Sequence, residues 1–261
     1  MSLGEHLVEL RKRLLISAIA IVVAMVAGWF LSDWVWDMLR QPIEIIAAER
    51  GRNAQINYDD VTGAFDLKLK ISMFIAVFLA SPVWLYQIWA FLSPGLSGKE
   101  KRWGVAFLGS ALPLFLFGAY VGWSIIPNIV RVLTSFGSDE DALFLSARGY
   151  LDFSTKLLLA VGVGFVIPVF IVLLNFVGIL SAKAIFKGWR IAILCIILFA
   201  AITTPAADVM SMFLLAGPMI VLYFLAGGIA WVHDKRLAKR RAAEFAEYDL
   251  DSDAPSPEAT A

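Results

Sequence analysis

Apolar residues run through this chain in long blocks rather than in short alternating or amphipathic stretches. The blocks lie at about 14–32, 69–92, 103–133, 153–180, 189–204 and 208–232, separated by short polar or charged segments. Five are long enough to cross a hydrocarbon core, which takes roughly 20 apolar residues as helix. The remaining block, 189–204, has an apolar centre of only about 12 residues, Ile191–Ile202, before Pro205 and Asp208 turn the chain. Blocks five and six therefore read as a short hairpin whose turn sits below the far membrane surface and thins the bilayer locally. The pattern predicts an all-α, six-span membrane domain over residues 1–232.

The flanks have their own signals. Ser2-Leu3-Gly4-Glu5 has the form of a capping box, and Leu3, Leu7, Leu10 and Leu14 recur at helical spacing. Residues 3–13 thus read as an amphipathic helix entering span 1. That span exceeds the ~7–15 residues of a signal-peptide core and lacks a small-residue cleavage site, so it reads as retained. The connector from about Asp33 to Phe65 carries Trp34, Trp36, Pro42 and an apolar patch too short to cross, and is expected to be interfacial. A second polar loop, Ser135–Asp152, contains Asp139-Glu140-Asp141. The tail, 233–261, opens basic and turns acidic and Pro/Ser-rich, the composition of a disordered end.

Composition closes off other classes. Of 261 residues, 60% are hydrophobic and 17% charged, more apolar surface than a soluble domain of this length can hide. The net charge is zero, so nothing points to a nucleic-acid partner. Fourteen of the 22 lysines and arginines fall in the N-terminus, the 93–103 loop, the 181–190 loop and the tail. Basic residues concentrate on the cytoplasmic side, which predicts both termini cytoplasmic and an even number of spans. One cysteine, Cys195, and two histidines near the termini, His6 and His233, predict no disulfide, no metal site and no histidine relay within the membrane.

Candidate chemistry is sparse. No charge sits in the middle of a span, and no zinc-helix, nucleophile-elbow or phosphate-loop motif occurs. Prolines 82, 113, 168 and 218 lie within the apolar runs and Pro127 near an end; each removes a backbone donor and favours a kinked, curved wall. Gly118-x-x-x-Gly122, with Gly162 and Gly164, allows close helix packing. Two carboxylates, Glu9 and Glu100, stand among cations on the predicted cytoplasmic face. Each either pairs with a neighbouring cation, Glu9 with Arg13 at i,i+4, or accepts an incoming guanidinium bidentately.

Several motifs carry a resemblance. His6-Leu7-Val8-Glu9-Leu10-Arg11-Lys12-Arg13-Leu14 is similar to the N-terminal signature of TatC, the multispanning subunit of the twin-arginine protein translocase. Ala80-Ser81-Pro82-Val83, Tyr86-Gln87-Ile88-Trp89-Ala90-Phe91, Pro94-Gly95-Leu96 and Glu100-Lys101-Arg102 resemble a second signature, and Thr203-Thr204-Pro205 with Asp208 and Pro218-Met219 a late one. The resemblance implies a receptor and scaffold in the bacterial cytoplasmic membrane, with no enzymatic activity and no cofactor. Its expected ligands are twin-Arg signal peptides of folded cargo, and export runs on the proton-motive force. Its expected partners are TatA- and TatB-type single-span subunits, within a larger complex that contains further copies of itself. By motif position it implies signal-peptide contacts at Glu9, Glu100, Leu10, Arg13 and Phe91. Pro42, Pro82 and Thr204 take structural or partner-docking roles.

One position departs from the family. Many members carry a glutamate in span 4, in the pattern Phe-Glu-x-Pro-Val, facing a concave pocket; here the segment reads Phe165-Val166-Ile167-Pro168-Val169. Asn175, nine residues on, is not a simple replacement. Docking at Val166 is expected to rely on packing or on other polar groups. The alternative class, a small-molecule secondary transporter, calls for a midspan ionisable pair and inverted repeats, and an intramembrane hydrolase for a nucleophile and base. Neither set is visible.

Overall fold

A computed structural model describes residues 3–49, 55–57, 61–92, 101–134, 144–204 and 209–252. The capping serine Ser2, the 93–100 loop with Glu100, Asp139–Asp141 and the Pro205–Asp208 turn lie outside the described residues. The first helix, α1 (Leu3–Glu49), is a single run of 47 residues, about 70 Å at 1.5 Å per residue and so more than twice the hydrocarbon core. The leucine-striped segment and span 1 are continuous, as the shared 3.6-residue period requires. The connector after Asp33 stays helical through Pro42 to Glu49. Arg40 pairs with Asp37 at 2.9 Å and Glu44 at 3.3 Å on that segment, and Leu39, Pro42 and Ile43 are buried. Tertiary burial there outweighs the loss of one backbone donor.

The second apolar block breaks in two. Helices α2 (Gly63–Leu79) and α3 (Ser81–Leu92) meet at Ala80 with a 55° bend. Pro82 has no N–H to give the Phe78 carbonyl, four residues earlier. Ser81 Oγ donates to that carbonyl instead, at 2.6 Å. Trp84 Nε1 donates to Val77 O at 2.9 Å. Lipid supplies no such partner, so the serine and tryptophan beside the proline keep the break compatible with a membrane.

Helices α4 (Lys101–Thr134) and α5 (Ala147–Phe176) form the centre. A Cβ at Gly118 would lie 2.8 Å from the Phe165 ring, and one at Gly162 2.8 Å from Phe115. The glycines let these phenylalanines seat against the opposite backbone, which is how small residues hold membrane helices together. Short strands β1 (Gln55–Asn57), between α1 and α2, and β2 (Phe144–Ser146), between α4 and α5, pair in parallel, Gln55 opposite Phe144. Around that end Lys70 meets Asp152 at 2.7 Å, Lys68 meets Asp33 at 2.8 Å, and Arg148 pairs with Asp66. Tyr150 donates to Leu39 O at 2.6 Å, tying α5 to α1.

The remaining helices are α6 (Ala182–Lys187), α7 (Trp189–Thr203) and α8 (Val209–Ser252). Thr204 ends α7, its Oγ1 donating to Ala200 O at 2.9 Å. Four described helices are long and apolar enough to cross a membrane, five if α2 and α3 count as one bent span, and α7 at 15 residues falls short. The expectation of a tail disordered from 233 is corrected, because α8 continues through it to Ser252. Residues 235–247 are rich in Ala, Lys, Arg and Glu, strong helix formers. They extend a helix already nucleated in the membrane, so the costly first turn is avoided.

One contact was not foreseen. A Cβ at Gly28 on α1 would fall inside contact distance of the Ser72 carbonyl oxygen on α2 and 3.1 Å from its carbon. Gly28→Ala is expected to destabilise the protein by about 2 kcal/mol through overpacking against backbone. Gly109→Ala, where a Cβ meets nothing within 4 Å, should be neutral or mildly stabilising. Thermal unfolding in detergent compares the two; equal midpoints would mean α1 and α2 separate freely.

Candidate functional site

The N-terminal turns of α1 lie against α3, and this contact gathers most of the described residues singled out for ligand binding. Arg13 is its pivot. One guanidinium nitrogen donates to Gln87 Oε1 at 2.9 Å and the other to Glu9 Oε1 at 3.2 Å. The Glu9–Arg13 pair is the i,i+4 pair the spacing allows, and Glu9 keeps only 18% of its side chain exposed. Its second oxygen, Oε2, is buried and has no hydrogen-bond partner among the described residues. Arg13 Nε is in the same state. A buried acceptor left unmade costs about 1–3 kcal/mol, so the cluster holds an unfilled carboxylate position beside an already satisfied one. The simple intrahelical pairing is therefore present and leaves half of Glu9 unused.

Apolar walls stand beside it. The His6 ring stacks on Phe91 with centroids 4.4 Å apart and planes 21° apart. Leu10 is half-buried on the same N-terminal stretch of α1. The bend at Ala80 is what turns α3 toward this end of α1, so Pro82 acts on the site from a distance. Arrangement of this kind can hold a cation with an adjoining apolar segment; it offers no nucleophile–base pair. No group of three or more His, Cys, Asp or Glu suited to a metal ion occurs among the described residues.

The second carboxylate, Glu100, lies outside the described residues, so its distance from Glu9 is not part of this geometry. Pro42 is buried at the opposite end of α1, and Thr204 is 5% exposed. Val166 is 2% exposed and packs with Leu85, Trp89, Phe107 and Phe115 between α3, α4 and α5. It fills a helix interface. Reading the sequence missed Gln87, 74 residues from Arg13, and the His6–Phe91 stack; both partners sat inside the quoted motifs, but pairing between them is invisible in one dimension. It also missed the partners of Asn175, a 2% exposed amide bound to His233 and Asp234 on α8.

Residues 5–218 match the family model of the Sec-independent protein translocase protein TatC. The chain belongs to the TatC family. The TatC protein of Xylanimonas cellulosilytica is 43% identical over 242 residues, covering 93% of this chain and 88% of that protein. That of Rothia mucilaginosa is 37% identical, covering 95% and 84%. A crystal structure of the twin arginine translocase receptor TatC aligns with a TM-score of 0.71 at 28% identity, over 87% of this chain and 98% of the solved one. A second, in DDM, gives 0.72 at the same identity. As a TatC-family chain, the protein is a multi-pass membrane component of a Sec-independent translocase, a family that works in a complex with other subunits and is not one of enzymes.

Proposed function

We propose that this protein is the twin-arginine signal-peptide receptor and core scaffold of its translocase. The reading is carried by one observation: the buried Glu9 Oε2 without a partner among the described residues, beside the Arg13–Gln87 link and the His6–Phe91 stack. An arriving guanidinium supplies the missing donors, and a carboxylate–guanidinium pair is charge-assisted and can be bidentate. Leu10 and Phe91 take the apolar residues that follow, and Glu100 serves the second arginine. In this reading the chain crosses the membrane six times, with α7 as the short fifth span and both termini cytoplasmic, as the distribution of basic residues favours. TatA- and TatB-type single-span subunits join it near Thr204 and span 4, further copies of the chain join the complex, and export of folded cargo draws on the proton-motive force.

The test is photo-crosslinking to a signal peptide from positions 9 and 100 in native membranes. Crosslinks at both positions are expected, and an absence of both sinks the receptor reading. A Lys-Lys signal peptide is expected to bind about tenfold more weakly than Arg-Arg, since an ammonium cannot match the planar fork. Indistinguishable affinities in a titration would show that the site reads charge alone.

A further inference from the structure

A groove of about 840 Å³ runs along the outer face of α8 beside the end of α5. Its walls are apolar, with Phe176, Phe224, Gly228 and Val232 among them, and its end carries His233 and Arg236. The volume falls in the range of about 300–1,000 Å³ typical of small-molecule sites. We propose that it binds one anionic phospholipid, with an acyl chain along Gly228 and Phe224 and the phosphate at His233 and Arg236. The proposal needs only the membrane placement of α8 and not the receptor reading.

Depth argues for a lipid. Lys235 lies 4.8 Å over the Trp231 ring, and tryptophan with lysine marks the membrane–water interface. Arg236 is the next residue, at headgroup level, and has no ion-pair partner among the described residues. One α-helical turn below, the groove is purely apolar, so polarity changes along it as it does along a phospholipid.

The histidine is held for this task from behind. Asn175 Nδ2 donates to Leu180 O at 2.8 Å and to Asp234 Oδ1 at 2.9 Å, which sets the amide orientation. Asn175 Oδ1 therefore faces His233 Nδ1, 3.1 Å away, and that ring nitrogen must donate. Asp234 is itself held by the Ala182 N–H at 2.8 Å. His233 is left with Nε2, and an anionic oxygen there is matched by the imidazolium form, in which both nitrogens donate. The Phe176 ring, 4.5 Å from the imidazole, closes the other side.

Two adjacent glycines separate packing from the groove. A Cβ at Gly227 would meet the Phe186 ring at 3.1 Å, whereas one at Gly228 meets nothing within 4 Å. Gly228 is thus the place to fill the groove without disturbing the fold.

The experiment is native mass spectrometry of the purified full chain, titrated with phosphatidylglycerol or phosphatidylcholine. One tightly retained phosphatidylglycerol is expected. Arg236→Gln should weaken its retention about fivefold, the effect of one basic residue at an anionic surface, and Gly228→Leu should abolish the tight class while the melting temperature holds. Arg240→Gln, beyond the groove, should leave it unchanged. Equal loss in Arg240→Gln would reduce the effect to diffuse attraction by a basic segment and overturn the site. Equal retention of phosphatidylcholine would overturn headgroup recognition. Displacement of the lipid by a co-purified single-span subunit, with crosslinks from position 228 to that subunit, would assign the groove to a partner helix instead.

Discussion

Capture of a twin-arginine signal peptide is expected to fall roughly thirty- to hundredfold in Glu9→Ala, the loss of about 2–3 kcal/mol that a charged hydrogen-bonding partner supplies. The substitution removes both oxygens, the one Arg13 already uses and the buried one without a partner. Arg13 keeps Gln87 at 2.9 Å, so the α1–α3 contact survives and the loss is one of ligand affinity. Glu9→Gln separates charge from shape: it fills the same space and still accepts a hydrogen bond, and it should recover only part of the affinity. Glu44→Ala is the control, since Glu44 sits near the other end of α1, 61% exposed and paired with Arg40. Glu100→Ala should resemble Glu9→Ala. A similar loss in the Glu44 variant, read by peptide binding to solubilised protein, would reassign the effect to folding.

Val166→Glu is expected to destabilise the fold by about 3 kcal/mol, because a carboxyl group would enter an interface that is already closed. Leu85, Phe107 and Phe115 in that cluster are each 3% exposed or less. Trp89 Nε1, in the same cluster, is buried without a partner among the described residues. A carboxyl that reached it would regain about 1 kcal/mol, not enough to offset its own desolvation. Thermal unfolding beside Val166→Ile, which keeps the apolar character, measures the difference. An unchanged melting temperature would show that position 166 opens onto a polar pocket, as the glutamate of many relatives implies, and that this interface is loose.

The two variants probe opposite kinds of position. Glu9 is a charge whose surroundings leave it unfinished; Val166 is an apolar group whose surroundings are complete. Family membership alone ranks both as site residues. Burial and partner geometry separate them: Glu9 has a carboxylate oxygen without a partner among the described residues, whereas Val166 is closed within a helix interface.

How much was legible follows from the range of each interaction. The apolar blocks lie largely in helices, because membrane insertion depends on composition summed over about 20 neighbouring residues. The Ser81-Pro82 break and the Gly118–Gly162 contacts were also local enough to read, since a missing donor or a missing Cβ acts where it stands. The disordered reading of residues 233–252 failed for the opposite reason: a segment this short is marginal as an isolated helix whatever its composition, but it continues a long apolar helix and inherits its nucleus. The helical state of the connector after Asp33 was equally hidden, because Leu39 and Ile43 are buried there and Tyr150, 111 positions on, donates to the Leu39 carbonyl.

By itself the sequence determined the membrane class, the apolar blocks, the clustering of the basic residues in a few segments and the motifs of the family. These depend on short windows and on charge, both read along one dimension. The tertiary structure decided the rest: that Arg13 spends one nitrogen on Gln87, that Glu9 has one oxygen without a partner among the described residues, that Val166 is enclosed, and that Asn175 aims His233 toward a groove. Each of these sets one group against a partner 50 or more positions away or against a wall built from several helices, and only a folded chain brings such groups within the 3 to 4 Å at which hydrogen bonds and packing act.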